Sequence, residues 1–243
     1  MIFINRFFTE ENVENGRVIL TDGNVHHIKN VLKIRENEKV ILVKNKKELL
    51  CTIDKIEKNS IILYVEEEIC ENKENEFSLT LIQGVPKGDK SDFICEKATE
   101  AGASAIVFAN MKRSVAKYSG DKAPKKLERF SKIAEGAACQ SGRLVIPKVE
   151  IADKLSDIDF SQFSLKLLCY EDEKNTSLKE VLKSNSDSSS VAVVIGPEGG
   201  IDKEEADYLI KCGFKCVSLG KRILRCETAG LYALANINYE LNN

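Results

Sequence analysis

The sequence predicts an α/β chain in two parts: a small β-barrel or curled sheet, then a mostly parallel sheet with helices on both faces. Three observations carry this. Short apolar runs separated by polar turns fill the chain before residue 70, strand and helix patterns alternate after residue 77, and the acidic, Asn-rich stretch Cys70-Glu71-Asn72-Lys73-Glu74-Asn75-Glu76 lies between them. The expected domains are 1–72 and 73–243. A chain of 243 residues suffices for two modest domains.

The runs Val40–Val43, Leu49–Ile53 and Ile61–Val65 are rich in β-branched residues and separated by the turns Lys44-Asn45-Lys46-Lys47 and Glu57-Lys58-Asn59-Ser60. A helical stretch from about Val25 to Leu32 interrupts this part. The second part begins with a strand at Leu79–Ile82, then a helix from about Lys90 to Ala101. The strand Ala105–Phe108 comes next, and a helix from about Pro124 to Cys139, whose proline suits a first turn. There follow a strand at 165–169, a short helix at 177–183, a strand at 191–195, a helix at 203–211, a strand at 215–218 and a last helix from about Glu227. Such alternation builds a parallel sheet covered on both faces. Ser184–Ser190 reads as a surface loop.

No apolar run approaches the roughly 20 residues of a membrane span. Met1–Phe8 lacks the basic and long apolar regions of a signal peptide, so a cytoplasmic chain is expected. Eight scattered cysteines agree with a reducing compartment. The one close pair, Cys212 and Cys216, has no second ligand pair or histidine beside it, and no metal is expected. Net charge is only −2, yet residues 111–148 hold ten cations against three acids. Clustered cations favour phosphate through counterion release, although a solvated lysine-rich helix has the same composition.

Two segments near the C-terminus concentrate the chemistry. Gly196-Pro197-Glu198-Gly199-Gly200 and Leu219-Gly220-Lys221-Arg222-Ile223-Leu224-Arg225-Cys226-Glu227-Thr228-Ala229 each follow a predicted strand and precede a helix. Ligands of parallel sheets bind outside the carboxyl ends of strands. The first segment has neither the lysine of a P-loop nor the spacing of a dinucleotide loop, so by itself it is equally a turn capped by Asp202. In the second, Glu227 and Thr228 suit a helix start, and Ile223 and Leu224 could sandwich a planar ring.

These two segments resemble the RsmE family of 16S ribosomal RNA uridine-N3 methyltransferases, in the SPOUT superfamily. Supporting residues run through the chain: Arg6-Phe7-Phe8, His26-His27-Ile28 with Val31-Leu32, Lys87-Gly88-Asp89-Lys90, Glu96–Gly102 and Gln140-Ser141-Gly142-Arg143. The resemblance implies an N-terminal PUA-like β-barrel that binds RNA and a C-terminal SPOUT α/β domain with a trefoil knot. It also implies S-adenosyl-L-methionine as cofactor, a homodimer, and 16S rRNA or the small ribosomal subunit as partner. Carried over residue by residue, the cofactor pocket would comprise Leu168, Tyr170, Ile195, Gly196, Pro197, Glu198, Gly199, Gly200, Leu219, Gly220, Ile223, Leu224, Arg225, Glu227, Thr228 and Ala229. Arg225 and Arg143 are the candidate catalytic cations, because a uracil losing its N3 proton needs nearby positive charge. Arg6, Lys33, Arg35, Arg113 and Arg143 are the candidate RNA contacts.

The chain departs from the family pattern at Cys226, where threonine is common, at Lys33, where arginine is frequent, and at Leu144, where asparagine is frequent. No general base is evident, since His26 and His27 fall in the other domain. A noncatalytic RNA-binding assembly protein is the alternative from another class, and an α/β enzyme acting on a small nucleotide is a third. The cofactor segments disfavour both.

Overall fold

The computed structural model describes residues 4–21 and 23–242, so Met1–Phe3 of the N-terminal stretch lie outside the described residues. Two compact units are formed. One comprises Met1–Glu74 with Ala138–Val145, the other Asn75–Ala137 with Ile146–Asn243. The segment 138–145, which the sequence placed with the second part, belongs to the first.

The first unit is a six-stranded sheet in the order β1-β4-β5-β6-β3-β2, built from β1 (Asn5–Phe8), β2 (Val13–Glu14), β3 (Arg17–Leu20), β4 (Lys39–Lys44), β5 (Lys47–Ile56) and β6 (Ile61–Ile69). Only the β1–β4 pairing is parallel. Alternation decides which face is buried: Val18 and Leu20 of β3, with Ile61 and Leu63 of β6, point into one core, while Ile19 between them is exposed. The β4–β5 hairpin closes through Asn45 and Lys46, both at positive φ, as a two-residue hairpin turn requires. The helical stretch expected near Val25–Leu32 is a short helix, α1 (Gly23–His26), continuing as a π-helical turn over His27–Val31, and Ile28 from it enters the core.

The second unit is a six-stranded parallel sheet, β12-β10-β11-β7-β8-β9. Its strands are β7 (Ser78–Gly84), β8 (Ala105–Ala109), β9 (Lys148–Ala152), β10 (Leu165–Cys169), β11 (Ser190–Ile195) and β12 (Lys215–Val217). They alternate with α2 (Lys90–Glu100), α3 (Lys122–Ser141), α4 (Leu178–Lys183), α5 (Lys203–Lys211) and α6 (Cys226–Leu241). Period-two alternation sorts the strands into two cores. Val191, Val193 and Ile195 of β11 pack with Ile94 of α2, Phe130 of α3 and Leu234 of α6, whereas Ala192 and Val194 pack with Leu209 of α5. β9 is a strand that the sequence reading did not include, although its Lys148 and Glu150 alternate with Val149 and Ile151.

Helix ends follow local chemistry. Asp202 caps α5 by accepting from the Glu204 N–H at 3.1 Å, and Ser177 caps α4 in a reciprocal box with Glu180. Arg225 occupies the capping position of α6 and its side chain makes no cap, while Thr228 lies three residues further in, too deep to serve as a capping hydroxyl.

Candidate active site

The carboxyl ends of three parallel strands build the site in the second unit. β7 ends in Gln83 and Gly84, β11 in Ile195 followed by Gly196, and β12 in Val217 followed by the segment at 219–229. β10, with Leu168 and Tyr170 at its end, lies between β11 and β12.

Close packing explains the glycines. A Cβ at Gly196 would lie 2.7 Å from Ile201 Cγ1 and 3.0 Å from the Gly200 carbonyl carbon, so only a bare backbone fits. Gly84 is pressed against Pro197 in the same way, its ideal Cβ falling 2.7 Å from the proline nitrogen. Gln83 is fully buried, and its amide donates to the carbonyls of Gly84 and Gly196, each at 3.2 Å. The β7 and β11 ends are thus fixed to each other by packing and by hydrogen bonds. Gly220 differs: its φ is +111° and a Cβ there would meet nothing within 4 Å. Its backbone borders open space.

The second segment leaves its side chains unusually bare. Ile223 is 99% exposed, an arrangement with no packing rationale, and Leu219, Leu224 and Ala229 are only half-buried. Arg225 and Thr228 are exposed, and among the described residues the Arg225 guanidinium has no ion pair or hydrogen bond. Such a segment offers apolar surface, backbone groups and the exposed cations Lys221, Arg222 and Arg225 to a planar, polar-edged ligand.

The two segments are tied together by a residue that sequence reasoning had not assigned to the site. Lys90, first residue of α2, donates from Nζ to Glu198 Oε1 at 2.9 Å and pairs with Glu227 Oε2 at 3.1 Å. The Lys87 N–H donates to both Glu198 oxygens, at 3.1 and 3.3 Å. A cation at a helix N-terminus opposes the macrodipole, so the two carboxylates offset an otherwise unfavourable placement. Burial pushes both carboxyls upward, but their hydrogen bonds, with Lys90 prominent at Glu198, hold each below the usual glutamate range. The hydrogen bond that Lys90 donates to Glu198 leads the effects that hold its ammonium above the usual lysine range. Cys226 sits beside this group, its Sγ 3.2 Å from Glu227 Oε2, and burial pushes its thiol up to about 12. The position at which threonine was expected is therefore occupied by a buried, protonated thiol.

The arginines and lysines separate into two groups. Arg113 supports the first glycine segment: its Nη1 donates to the Gly199 carbonyl at 3.2 Å, and the bare Cα of Gly199 faces its side chain. In the first unit Lys33, at φ +54°, and Arg35 are exposed. Arg6 and Arg143, the other two candidates for RNA contact, are directed inward. Arg6 pairs with Glu48, which is 3% exposed, and donates to the Arg143 carbonyl at 3.1 Å. Arg143 is 7% exposed and grips Glu74 through Nε and Nη2, at 3.2 and 2.6 Å. The Arg143 guanidinium thus holds the half-buried carboxylate of Glu74 within the first unit.

The basic run 111–148 is also less bare than its composition implies. Lys112 pairs with Glu204 and Asp202, Arg129 with Asp92, Lys132 with Glu128 and Lys148 with Glu150. Lys126 lies over the rings of Tyr118 and Phe130. Among the described residues the ammonium groups of Lys117, Lys122 and Lys125 have no ion pair. Among the described residues no group of His, Cys, Asp and Glu could hold a metal ion, and no helix is long and apolar enough to cross a membrane.

Comparison with known proteins agrees with this architecture. A family model described as an RNA methyltransferase domain matches residues 73–238, and one described as an RNA methyltransferase PUA domain matches residues 20–66. Ribosomal RNA small subunit methyltransferase E of Bacillus subtilis (strain 168) is 34% identical, over 98% of this chain and 97% of its own. A crystal structure of ribosomal RNA small subunit methyltransferase E from Neisseria gonorrhoeae, bound to S-adenosyl methionine, superposes with a TM-score of 0.87 at 32% identity over 98% of each chain. A methyltransferase from Legionella pneumophila, solved with bound S-adenosylmethionine, gives 0.88 at 26% identity over 98% of each chain.

Proposed function

Since the chain belongs to the RsmE family of 16S ribosomal RNA methyltransferases, we propose that it transfers a methyl group from S-adenosylmethionine to N3 of a uridine in small-subunit rRNA. The observation that carries this reading is the meeting of the two glycine segments, which follow β11 and β12 on either side of β10, on the single ammonium of Lys90. The residues present fit the cofactor. The backbone at Gly196–Gly200 and Gly220 permits close approach, Leu219, Ile223 and Leu224 offer apolar surface to a purine ring, and the backbone at Leu168, Tyr170 and Ile195 marks the carboxyl ends of β10 and β11. When bound, the cofactor supplies an electrophilic methyl group on a sulfonium.

Methyl transfer of this kind is an in-line displacement, so the chain mainly aligns the partners and excludes water. The uracil N3–H proton passes to solvent water, the negative charge it leaves spreads onto the flanking carbonyl oxygens, and the N–C bond forms as the bond from methyl to sulfonium sulfur breaks, which would leave a neutral thioether. Arg225, exposed and unpaired at the start of α6, provides a cation for that charge. RNA approaches through Lys33 and Arg35 of the first unit and Arg113 of the second, while Lys117, Lys122 and Lys125 add phosphate contacts. A folded RNA presents its target by flipping the base out, at roughly a few kcal/mol. The protein acts in the cytoplasm, as a homodimer.

The test is mass spectrometry of small-subunit rRNA incubated with the protein and isotopically labelled cofactor. One labelled methyl at a uridine N3 is expected. Label on another atom, or none, refutes the assignment, and RNA binding without transfer returns the chain to a noncatalytic role.

A further inference from the structure

We infer that Lys90 is a positioning residue that latches the two cofactor segments to each other, an inference that rests on reading their meeting place as the cofactor pocket. The geometry is specific. Lys90 stands 108 residues before Glu198 in sequence, yet its ammonium lies 2.9 Å from that carboxylate and 3.1 Å from Glu227. Glu198 belongs to the segment after β11, and Glu227 to the part of the second segment that forms the first turn of α6. Among the described residues no other ion pair joins those two segments, and the second makes few contacts of its own, as the bare Ile223 and the open space at Gly220 show. Two carboxylates facing one another without a cation would repel and spread the pocket.

The latch also recruits the loop between β7 and α2. Its Lys87 N–H completes the hydrogen bonding of Glu198, while Gly84 and Gln83 hold the other end of the same segment against Pro197 and Gly196. The first segment is therefore held at both ends, the second only through Lys90 and the helix that follows. Positioning by Lys90 should weigh most on the second segment.

The test uses the full chain and S-adenosylmethionine itself. Calorimetry would compare wild type with Lys90→Met, Lys90→Arg and Lys97→Met, the last a surface lysine on the same helix paired only with Glu96 and Glu100. Hydrogen exchange of the ligand-free proteins reports whether the segments at 196–200 and 219–225 loosen. The latch requires Lys90→Met to weaken cofactor binding about tenfold and to speed exchange mainly at 219–225, with arginine restoring binding to within about threefold. Lys97→Met should match wild type. Unchanged affinity and unchanged exchange in Lys90→Met overturn the latch. Lost affinity with unchanged exchange also overturns it, by making Lys90 a direct ligand contact. If wild type itself gives no heat with the cofactor, the pocket reading falls, while the exchange comparison still judges the latch. Glu198→Gln with Glu227→Gln, keeping Lys90, must reproduce the loosening, and failure to do so also refutes it.

Discussion

Replacing Glu74 by alanine should destabilise the first unit far more than an ordinary surface change. The carboxylate receives Arg143 Nη2 at 2.6 Å and the backbone N–H groups of Leu144 and Val145 at 2.7 and 3.2 Å. Its removal leaves a guanidinium that is 7% exposed without its counter-charge, and two N–H groups without their acceptor. Breaking a buried pair from one side costs roughly 3–5 kcal/mol, so about 4 kcal/mol is expected for Glu74→Ala. Arg143→Met should cost less, about 2 kcal/mol, because the backbone donors and partial solvent access still serve the carboxylate. The double variant should fall short of the sum by about 1–3 kcal/mol, the signature of groups that act as a pair. The chain contains no tryptophan, so far-ultraviolet circular dichroism in urea is the assay of choice. At roughly 2–4 °C per kcal/mol, the melting temperature of Glu74→Ala should drop by about 8–16 °C. A loss below about 0.5 kcal/mol, or strict additivity, would refute the structural role given to Arg143. The pH dependence has a definite sign. Burial raises the Glu74 carboxyl, but Arg143 and the two N–H groups outweigh it and hold it below the usual range. Its contribution is therefore complete above the unfolded value of about 4.3 and vanishes as pH falls through the lower folded value. The gap between wild type and Glu74→Gln should close in acid.

Three further outcomes follow from the same geometry. Gly196→Val should abolish the heat of cofactor binding, because its Cβ alone would fall 2.7 Å from Ile201; wild-type affinity would show that backbone shape there is not decisive. Lys33→Ala and Arg35→Ala should each weaken RNA binding and lower its salt slope by about 0.7–0.9, leaving cofactor affinity alone; an unchanged slope removes the residue from the RNA surface. Cys226, with its thiol pushed up to about 12 by burial, should resist iodoacetamide at pH 8 until the protein is unfolded. Rapid labelling of the native chain, read by mass spectrometry, contradicts that burial.

What could be read from sequence depended on whether the cause was local. The helix Lys203–Lys211 with its Asp202 cap and the strand Leu165–Cys169 rest on propensity, capping and periodicity within a few residues, and their bounds match. Strands β1 to β3 and β9 escaped notice because they are two to five residues long and carry charges on one face. The strand order β12-β10-β11-β7-β8-β9 is a long-range property that periodicity does not encode. The glycine segments were visible as chemistry, whereas Lys90 looked like any first-turn lysine, because its partners lie more than a hundred residues away. The same distance effect applies to Arg143. Sixty-nine residues from Glu74, it resembled a free cation at the end of a basic run.

The first unit is assembled from two stretches of chain, and this sets an order of events during synthesis. When Glu74 leaves the ribosome, its partner Arg143 has yet to be made. At about 5–20 residues per second, the intervening span of about 70 residues takes roughly 4–14 seconds. For that interval the young sheet already holds Glu48 with Arg6 and Lys73, while the place of residues 138–145 waits for the end of α3 to be synthesised. The N-terminal unit reaches its final form only once that long helix of its neighbour has been made. A nascent chain stalled before Ala138 should therefore be open to protease at the sheet, and one stalled well beyond Val145 should be closed.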